Sequence, residues 1–104
     1  MTETSATSDC EANAGGESVR QVLVANQLGL HARPASQIAR EAQAFAASIS
    51  ITGPGQTVDA KSILDVLTLA AGPGSTLEIR ASGADAELAV EKISQLFAAR
   101  FGEK

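Results

Sequence analysis

The chain lacks most of the residue types that mark specialised classes of protein. It has no Trp, no Tyr and three Phe among 104 residues, which argues against recognition of nucleic acids by base stacking. Its formal net charge of −4 has the wrong sign for a protein that binds phosphate backbones. A single cysteine, Cys10, excludes an internal disulfide framework and every metal site built from several cysteines. The sequence therefore predicts neither a nucleic-acid partner nor a bound metal.

Long apolar runs are also missing. No stretch approaches the roughly 18 apolar residues of a membrane-spanning helix, so no membrane insertion is expected. The first residues include acids but neither the bases nor the apolar run of a secretory signal, which favours a cytoplasmic protein. The composition, 44% hydrophobic and 19% charged, is typical of one globular domain with a modest core.

An acidic segment precedes the part of the chain that can fold. Residues 1–18 contain four acids and no Lys or Arg, and they account for the whole net charge of −4. They contain no Val, Ile, Leu or Phe, so they cannot bury enough apolar surface to offset the entropy lost on ordering. We predict a disordered acidic tail over residues 1–18, with Cys10 as an ordinary thiol, and a folded domain over residues 19–104.

Alternating apolar residues predict three short strands, and a turn predicts a fourth. Val22 and Val24 alternate in the first, and residues 48–52 and 76–81 alternate in the same way. Residues 57–59 follow a Gly-Pro-Gly turn and are predicted to form the second strand of a hairpin.

Three segments have the period of amphipathic helices. The first begins at Ala32, the second follows Ser62, and the third runs from Ala86 to about Arg100. Ser62 suits the N-cap position, with Asp65 as the capping-box acid. The apolar face of the first helix comprises Ala35, Ile38, Ala39, Ala42, Phe45 and Ala46. The order β-α-β-β-α-β-α predicts an antiparallel or mixed four-stranded sheet with helices on one face and water on the other.

His31, the only histidine, immediately precedes the first turn of the first helix. Unpaired backbone N–H groups and the positive end of the helix dipole make such a position an anion site. Arg33 adds a planar set of donors for phosphate oxygens, and Pro34 supplies no N–H but stiffens the turn. An imidazole is a nucleophile near pH 7, and the N–H groups of Ala32 and Arg33 would hold a phosphoryl group on its ring.

Nothing else in the sequence completes an enzyme around this histidine. There is no obvious acid–base partner, no P-loop and no acidic Mg²⁺ cluster, so the residues predict a phosphoryl carrier rather than a stand-alone catalyst. The alternative at this point is a helix-capping histidine beside a surface arginine. Neither interpretation requires a cofactor.

Residues 28–35, LeuGlyLeuHisAlaArgProAla, resemble the active-site segment of the histidine-containing phosphocarrier (HPr) family of the bacterial phosphoenolpyruvate-dependent sugar phosphotransferase system. Residues 59–70 are similar to the family's second signature, built around a Lys-Ser-Ile/Leu core, and residues 81–85 resemble the turn before its last helix. The resemblance covers roughly residues 19–101. It implies an α+β open-faced β-sandwich, in which three helices cover one face of a four-stranded antiparallel sheet.

The resemblance also implies roles for individual residues. His31 would accept a phosphoryl group on Nδ1 from enzyme I, as pros-phosphohistidine, and pass it to enzyme IIA proteins. Arg33 would contact the phosphate. Ser62 would be the serine that a dedicated HPr kinase/phosphorylase modifies in some bacteria, although its N-cap position explains it equally well.

Partner docking is expected on apolar residues of the second helix, which has too many to bury. Ile63, Leu64 and Leu67 are the candidates for an exposed patch, and Arg40 for a basic rim facing acidic partners. Two alternatives stay open: a carrier used mainly for signalling, in the nitrogen-related branch or under kinase control, and an interaction module without phosphochemistry. A monomer is expected.

Overall fold

The computed structural model describes residues 16–69 and 71–102, which form one sheet covered by helices. The strands are β1 (Glu17–Leu23), β2 (Ser48–Gly53), β3 (Gln56–Asp59) and β4 (Thr76–Ser82). The helices are α1 (Ala32–Gln43), α2 (Ile63–Thr68) and α3 (Ala86–Ala98), and a 3-10 turn follows at Arg100–Gly102. The order of elements agrees with the predicted β-α-β-β-α-β-α pattern.

The folded part begins earlier than the sequence pattern predicts. β1 starts at Glu17, so Glu17 and Ser18 belong to the sheet rather than to a tail ending at residue 18. Glu17 is paired with Ser82 of β4, and its carboxylate lies 3.1 Å from the guanidinium of Arg80. Strand pairing with β4 and this ion pair place Glu17 and Ser18 in the sheet, although their hydrophobicity alone assigns them to the tail. Residues 1–15, including Cys10, lie outside the described residues.

The sheet is antiparallel throughout, in the order β1-β4-β2-β3. Ile49 and Ile51 of β2 and Leu77 and Ile79 of β4 point to one face and are almost wholly buried. The residues between them are serine, threonine and charged side chains, such as the exposed Arg80, on the opposite face. Alternation in the sequence therefore correctly indicates which face of the sheet the helices cover.

The helices bury their apolar stripes against that face, as an open-faced sandwich requires. The buried residues are Ala35, Ile38, Ala39 and Ala42 of α1, Val66 of α2, and Ala86, Ala89, Val90, Ile93 and Phe97 of α3. Each fully buried Ile or Phe side chain contributes about 1.5–3 kcal/mol relative to an exposed one. Within the described residues, no helix is long and apolar enough to cross a membrane.

α1 ends at Gln43, before the last apolar positions of its predicted stripe. The Asp85 carboxylate, next to α3, accepts hydrogen bonds from the Ala46 N–H at 2.9 Å and the Ala47 N–H at 2.8 Å. These bonds, that of Ala46 above all, lower the pKa of Asp85 below its ordinary value. Because the chain leaves the helix to meet Asp85, Ala46 is exposed and Phe45 only partly buried. The prediction that Ala46 faces the core is wrong.

Candidate functional site

The loop between β1 and α1, which ends at His31, is held against the chain that follows α2. At its start the Val24 N–H donates to the Ser75 carbonyl at 2.8 Å, and the Gly74 N–H donates to the Val24 carbonyl at 2.7 Å. At its end the Leu30 N–H donates to the Ala71 carbonyl at 2.9 Å. The loop is thus attached to one neighbouring segment at both ends, which sets the position of His31.

Gly29 allows this close approach. Its φ of +68° lies in the left-handed region, and a Cβ at this position would lie 2.5 Å from the Ala71 carbonyl oxygen. Asn26, which is fully buried, donates from Nδ2 to the Gly29 carbonyl at 2.7 Å and closes the turn. Sequence reasoning identified a glycine-containing loop but assigned no role to Asn26. An Asn three residues before a Gly was the available signal, since both residues favour tight turns.

His31 occupies the N-cap of α1, the position that the sequence predicts. Its backbone is extended, with φ −105° and ψ −169°, and its carbonyl accepts the first helical hydrogen bond from the Ala35 N–H at 3.0 Å. The imidazole makes no capping hydrogen bond to the helix, and the residue is partly exposed. The side chain is therefore at the helix start without being used to cap it.

The first turn of α1 is suited to an anion. Ala32 and Arg33 are exposed, and their N–H groups belong to the first turn, where no intrahelical acceptor exists. Pro34 is buried and contributes rigidity instead of an N–H. No acidic residue lies in this turn, so nothing there opposes the positive end of the helix dipole. The structure brings His31, Ala32, Arg33 and Pro34 together at one helix end.

Arg40 and Ser62 lie toward the other end of α1. Arg40 is exposed in the last turn of α1, seven residues after Arg33, or about 10 Å along the axis at 1.5 Å per residue. Gln43, at the end of α1, donates from Nε2 to the carbonyl of Lys61 at 2.9 Å. Ser62, the next residue, is therefore placed near the end of α1 that is farther from His31.

Ser62 caps α2 as predicted. Its Oγ accepts a hydrogen bond from the Asp65 N–H at 3.2 Å. Asp65 does not complete the reciprocal half of a capping box, because its Oδ2 accepts from the Asp59 N–H at 3.4 Å. The Ser62 N–H donates instead to the Asp59 carbonyl at 3.1 Å. Two acidic residues thus flank this serine.

The exposed apolar surface of α2 is smaller than predicted. Ile63 and Leu64, the α2 patch, are 41% and 75% exposed, whereas Leu67 is partly buried against the core. Leu67 follows the fully buried Val66, so on this six-residue helix it lies at the edge of the packed face. Leu28, three residues before His31, is 70% exposed and was not predicted. An apolar residue inside a polar turn was the signal for it.

The described part of the chain contains no candidate metal site. Across residues 16–69 and 71–102, no three His, Cys, Asp or Glu side chains are grouped as a metal site would require.

Known proteins share both the sequence and the fold. The family model described as the PTS HPr component phosphorylation site matches residues 18–99. The chain belongs to the HPr family. The HPr-family phosphocarrier of Cupriavidus necator is 40% identical over 84 residues, covering 81% of this chain and 94% of that protein. The phosphocarrier protein NPr of Shewanella violacea is also 40% identical, covering 81% of this chain and 92% of its own.

Solved HPr structures have the same architecture. The crystal structure of an HPr from Thermoanaerobacter tengcongensis superposes with a TM-score of 0.80 at 31% identity, covering 84% of this chain and 98% of that one. The open-faced sandwich implied by the resemblance is thereby confirmed, together with the role of this family as phosphocarriers of the phosphotransferase system.

Proposed function

We propose that His31 is the residue that carries the phosphoryl group in this HPr-family protein, accepting it from phospho-enzyme I and passing it to enzyme IIA proteins. One observation supports this most directly. The family is described by its phosphorylation site, the match spans residues 18–99, and His31 is the only histidine in the whole sequence. We place this exchange in the cytoplasm.

The geometry suits such a step. Nδ1 of His31 attacks phosphorus, the bond between phosphorus and the donor atom on enzyme I breaks, and the phosphoryl group moves to the ring as pros-phosphohistidine. The N–H groups of Ala32 and Arg33 and the Arg33 guanidinium hold its oxygens. An acceptor atom on enzyme IIA then attacks the same phosphorus, the bond between phosphorus and Nδ1 of His31 breaks, and the free imidazole is restored. The partners supply the remaining catalytic groups, and this chain needs no cofactor for the transfer.

The direct test is an intact-mass measurement after incubation with phosphoenolpyruvate and the host's own enzyme I. We expect a gain of one phosphate that is acid-labile, as a phosphoramidate should be, and absent from His31→Ala. No gain with an enzyme I that is active on another carrier would contradict the proposal. That result would favour the alternative of an interaction module without phosphochemistry.

We propose that partners dock on the α2 patch and Arg40, with Leu28 on the His31 side. Exposed apolar residues on α2, together with a basic residue on the helix packed against it, fit a partner with an apolar centre and an acidic rim. Leu64→Glu should lower kcat/KM for phosphorylation by enzyme I at least about tenfold, equivalent to about 1.4 kcal/mol. Leu88→Glu is the matched control, because Leu88 is 51% exposed on α3 and belongs to no proposed interface. Equal rates for the two variants would contradict this docking site.

Ser62 is proposed as a regulatory phosphorylation site for an HPr kinase/phosphorylase. A phosphoserine at a helix N-terminus is locally favourable, yet it adds negative charge beside the α2 patch, where a phosphorylated partner must dock. Ser62→Asp should therefore accept phosphate from enzyme I more slowly than Ser62→Asn, which caps the helix without the charge. Equal rates would contradict regulation by charge at this position.

A second candidate is the nitrogen-related branch, because the NPr of Shewanella violacea is 40% identical over 84 residues, the same figures as for the HPr of Cupriavidus necator. The segment Lys61-Ser62-Ile63, the core of the second family signature, favours the sugar-type or kinase-regulated form over the nitrogen branch. Comparing kcat/KM for phosphorylation by the sugar-branch and nitrogen-branch forms of enzyme I decides between them. We propose that the carrier acts as a monomer, and a molar mass near 10.6 kDa in light scattering at working concentration would support this.

A further inference from the structure

The C-terminal turn, Arg100–Gly102, has an uncommon backbone conformation. Arg100 and Phe101 have φ of 56° and 54°, and within the described residues they are the two non-glycine residues with positive φ. A side chain with a Cβ disfavours this region, so other contacts must offset the strain. Such strain, where contacts maintain it, often marks a functional constraint.

The Phe101 ring is buried and packs against a second ring, which holds the turn in place. Phe101 is 4% exposed, and its ring meets that of Phe97 edge to face, with centroids 4.9 Å apart and an interplanar angle of 70°. The Gly102 N–H donates to the Ala99 carbonyl at 3.1 Å. The buried ring thus anchors the backbone of the turn, from which the Arg100 side chain and the Phe101 carbonyl extend.

Both groups contact segments that flank His31. The Nη2 of Arg100 donates to the Ala25 carbonyl at 3.3 Å, in the loop before His31. The Nε2 of Gln37 in α1, after His31, donates to the Phe101 carbonyl at 3.3 Å. The turn therefore bridges the loop and the helix between which His31 is placed.

A short series of contacts continues from Ala25 to His31. Ala25 is bonded to the buried Asn26, whose Nδ2 donates to the Gly29 carbonyl at 2.7 Å. The same carbonyl accepts the His31 N–H at 3.2 Å. A displacement of Ala25 would therefore be transmitted to the His31 backbone through the Asn26 side chain and the Gly29 carbonyl.

We infer that the turn Arg100–Gly102 braces the His31 loop, and that Arg100 is a positioning residue for phosphoryl transfer. The second part rests on the proposed function, since it concerns the reaction at His31. Arg100 acts through the Ala25 carbonyl and has no contact with the phosphoryl group in this assignment.

The kinetic test compares Arg100→Ala with Lys92→Ala, which removes the same charge from an exposed site on α3. With enzyme I as donor, Arg100→Ala should lower kcat about three- to tenfold, the effect of one lost hydrogen bond at an exposed site, and leave KM within about twofold. KM should stay nearly constant because the proposed docking residues, the α2 patch, Arg40 and Leu28, are unchanged. Arg100→Lys should recover part of kcat, since its ammonium can reach the same carbonyl.

Amide hydrogen exchange of the unphosphorylated chain tests the brace independently. The Gly29 and Leu30 amides donate to the Asn26 and Ala71 carbonyls, and in Arg100→Ala they should exchange about three- to tenfold faster than in Lys92→Ala. Unchanged exchange overturns the brace, and faster exchange with unchanged kcat overturns the positioning role. If the wild-type chain accepts no phosphate, the proposed function fails, and the exchange rates alone decide whether the brace exists.

Discussion

Replacing Gly29 with alanine tests how tightly the His31 loop is held. The new residue must keep a left-handed backbone at φ +68°, and its methyl group would lie 2.5 Å from the Ala71 carbonyl oxygen and 3.0 Å from the Gly72 Cα. The backbone strain costs about 1–2 kcal/mol. Relieving the overlap requires a backbone shift of about 1 Å, and inserting an extra methyl group into a packed site in this way costs about 1–3 kcal/mol. We therefore expect a loss of about 2–5 kcal/mol from a total of about 5–15 kcal/mol.

Gly55→Ala provides the matched control. Gly55 has φ +82°, but nothing lies within 4 Å of the position a Cβ would take, so this variant carries the backbone strain alone. It should lose about 1–2 kcal/mol. The measurement is urea unfolding of both variants, in which the midpoint should fall and the m-value should stay constant.

The difference between the two free energies of unfolding is the informative quantity. A Gly29→Ala variant that is no less stable than Gly55→Ala would refute the argument that the loop and the Ala71 carbonyl are in close contact. A larger loss should be accompanied by slower phosphorylation of His31, because the same shift moves the residue that precedes α1.

Three further outcomes are expected. Asp85→Asn should lose less stability than the wild-type chain on acidification below about pH 4, the ordinary range of an Asp. Because the pKa of Asp85 is lowered in the folded chain, its contribution to the free energy of unfolding is present above that range and is lost as pH falls. Urea midpoints measured across this pH range check the prediction, and an equal loss in the two proteins would contradict it. Ser62→Ala should cost about 1 kcal/mol in the same assay through the lost cap to the Asp65 N–H. Ile38→Ala should cost about 2–5 kcal/mol, as buried sites do, whereas Ile63→Ala, at a site 41% exposed, should cost much less; equal losses would mean that the α2 patch is packed.

Elements whose apolar residues follow one period could be predicted from the sequence. The alternation at Ile49 and Ile51 indicated a strand and its buried face, because a strand's side chains alternate regardless of what lies beside it. Ser62 and His31 were placed correctly at helix starts for a similar reason, since capping and first-turn chemistry act over three or four residues. The resemblance to the HPr family, and the residue roles that it implies, likewise depend on short segments such as residues 28–35 and 59–70.

Contacts between distant segments were decided by the tertiary structure alone. Asp85 ends α1 from 38 residues away through the Ala47 amide, so the sequence pattern extended the apolar stripe too far. The apolar residues of α2 could not be divided into core and surface from the sequence, because that division depends on the elements packed around the helix. Leu67 was therefore wrongly included in the exposed patch. The left-handed turn at Arg100 depends on a buried ring and on partners in α1 and the β1–α1 loop. Local periodicity contains no information about such partners, because their sequence separation is set by the topology of the sheet.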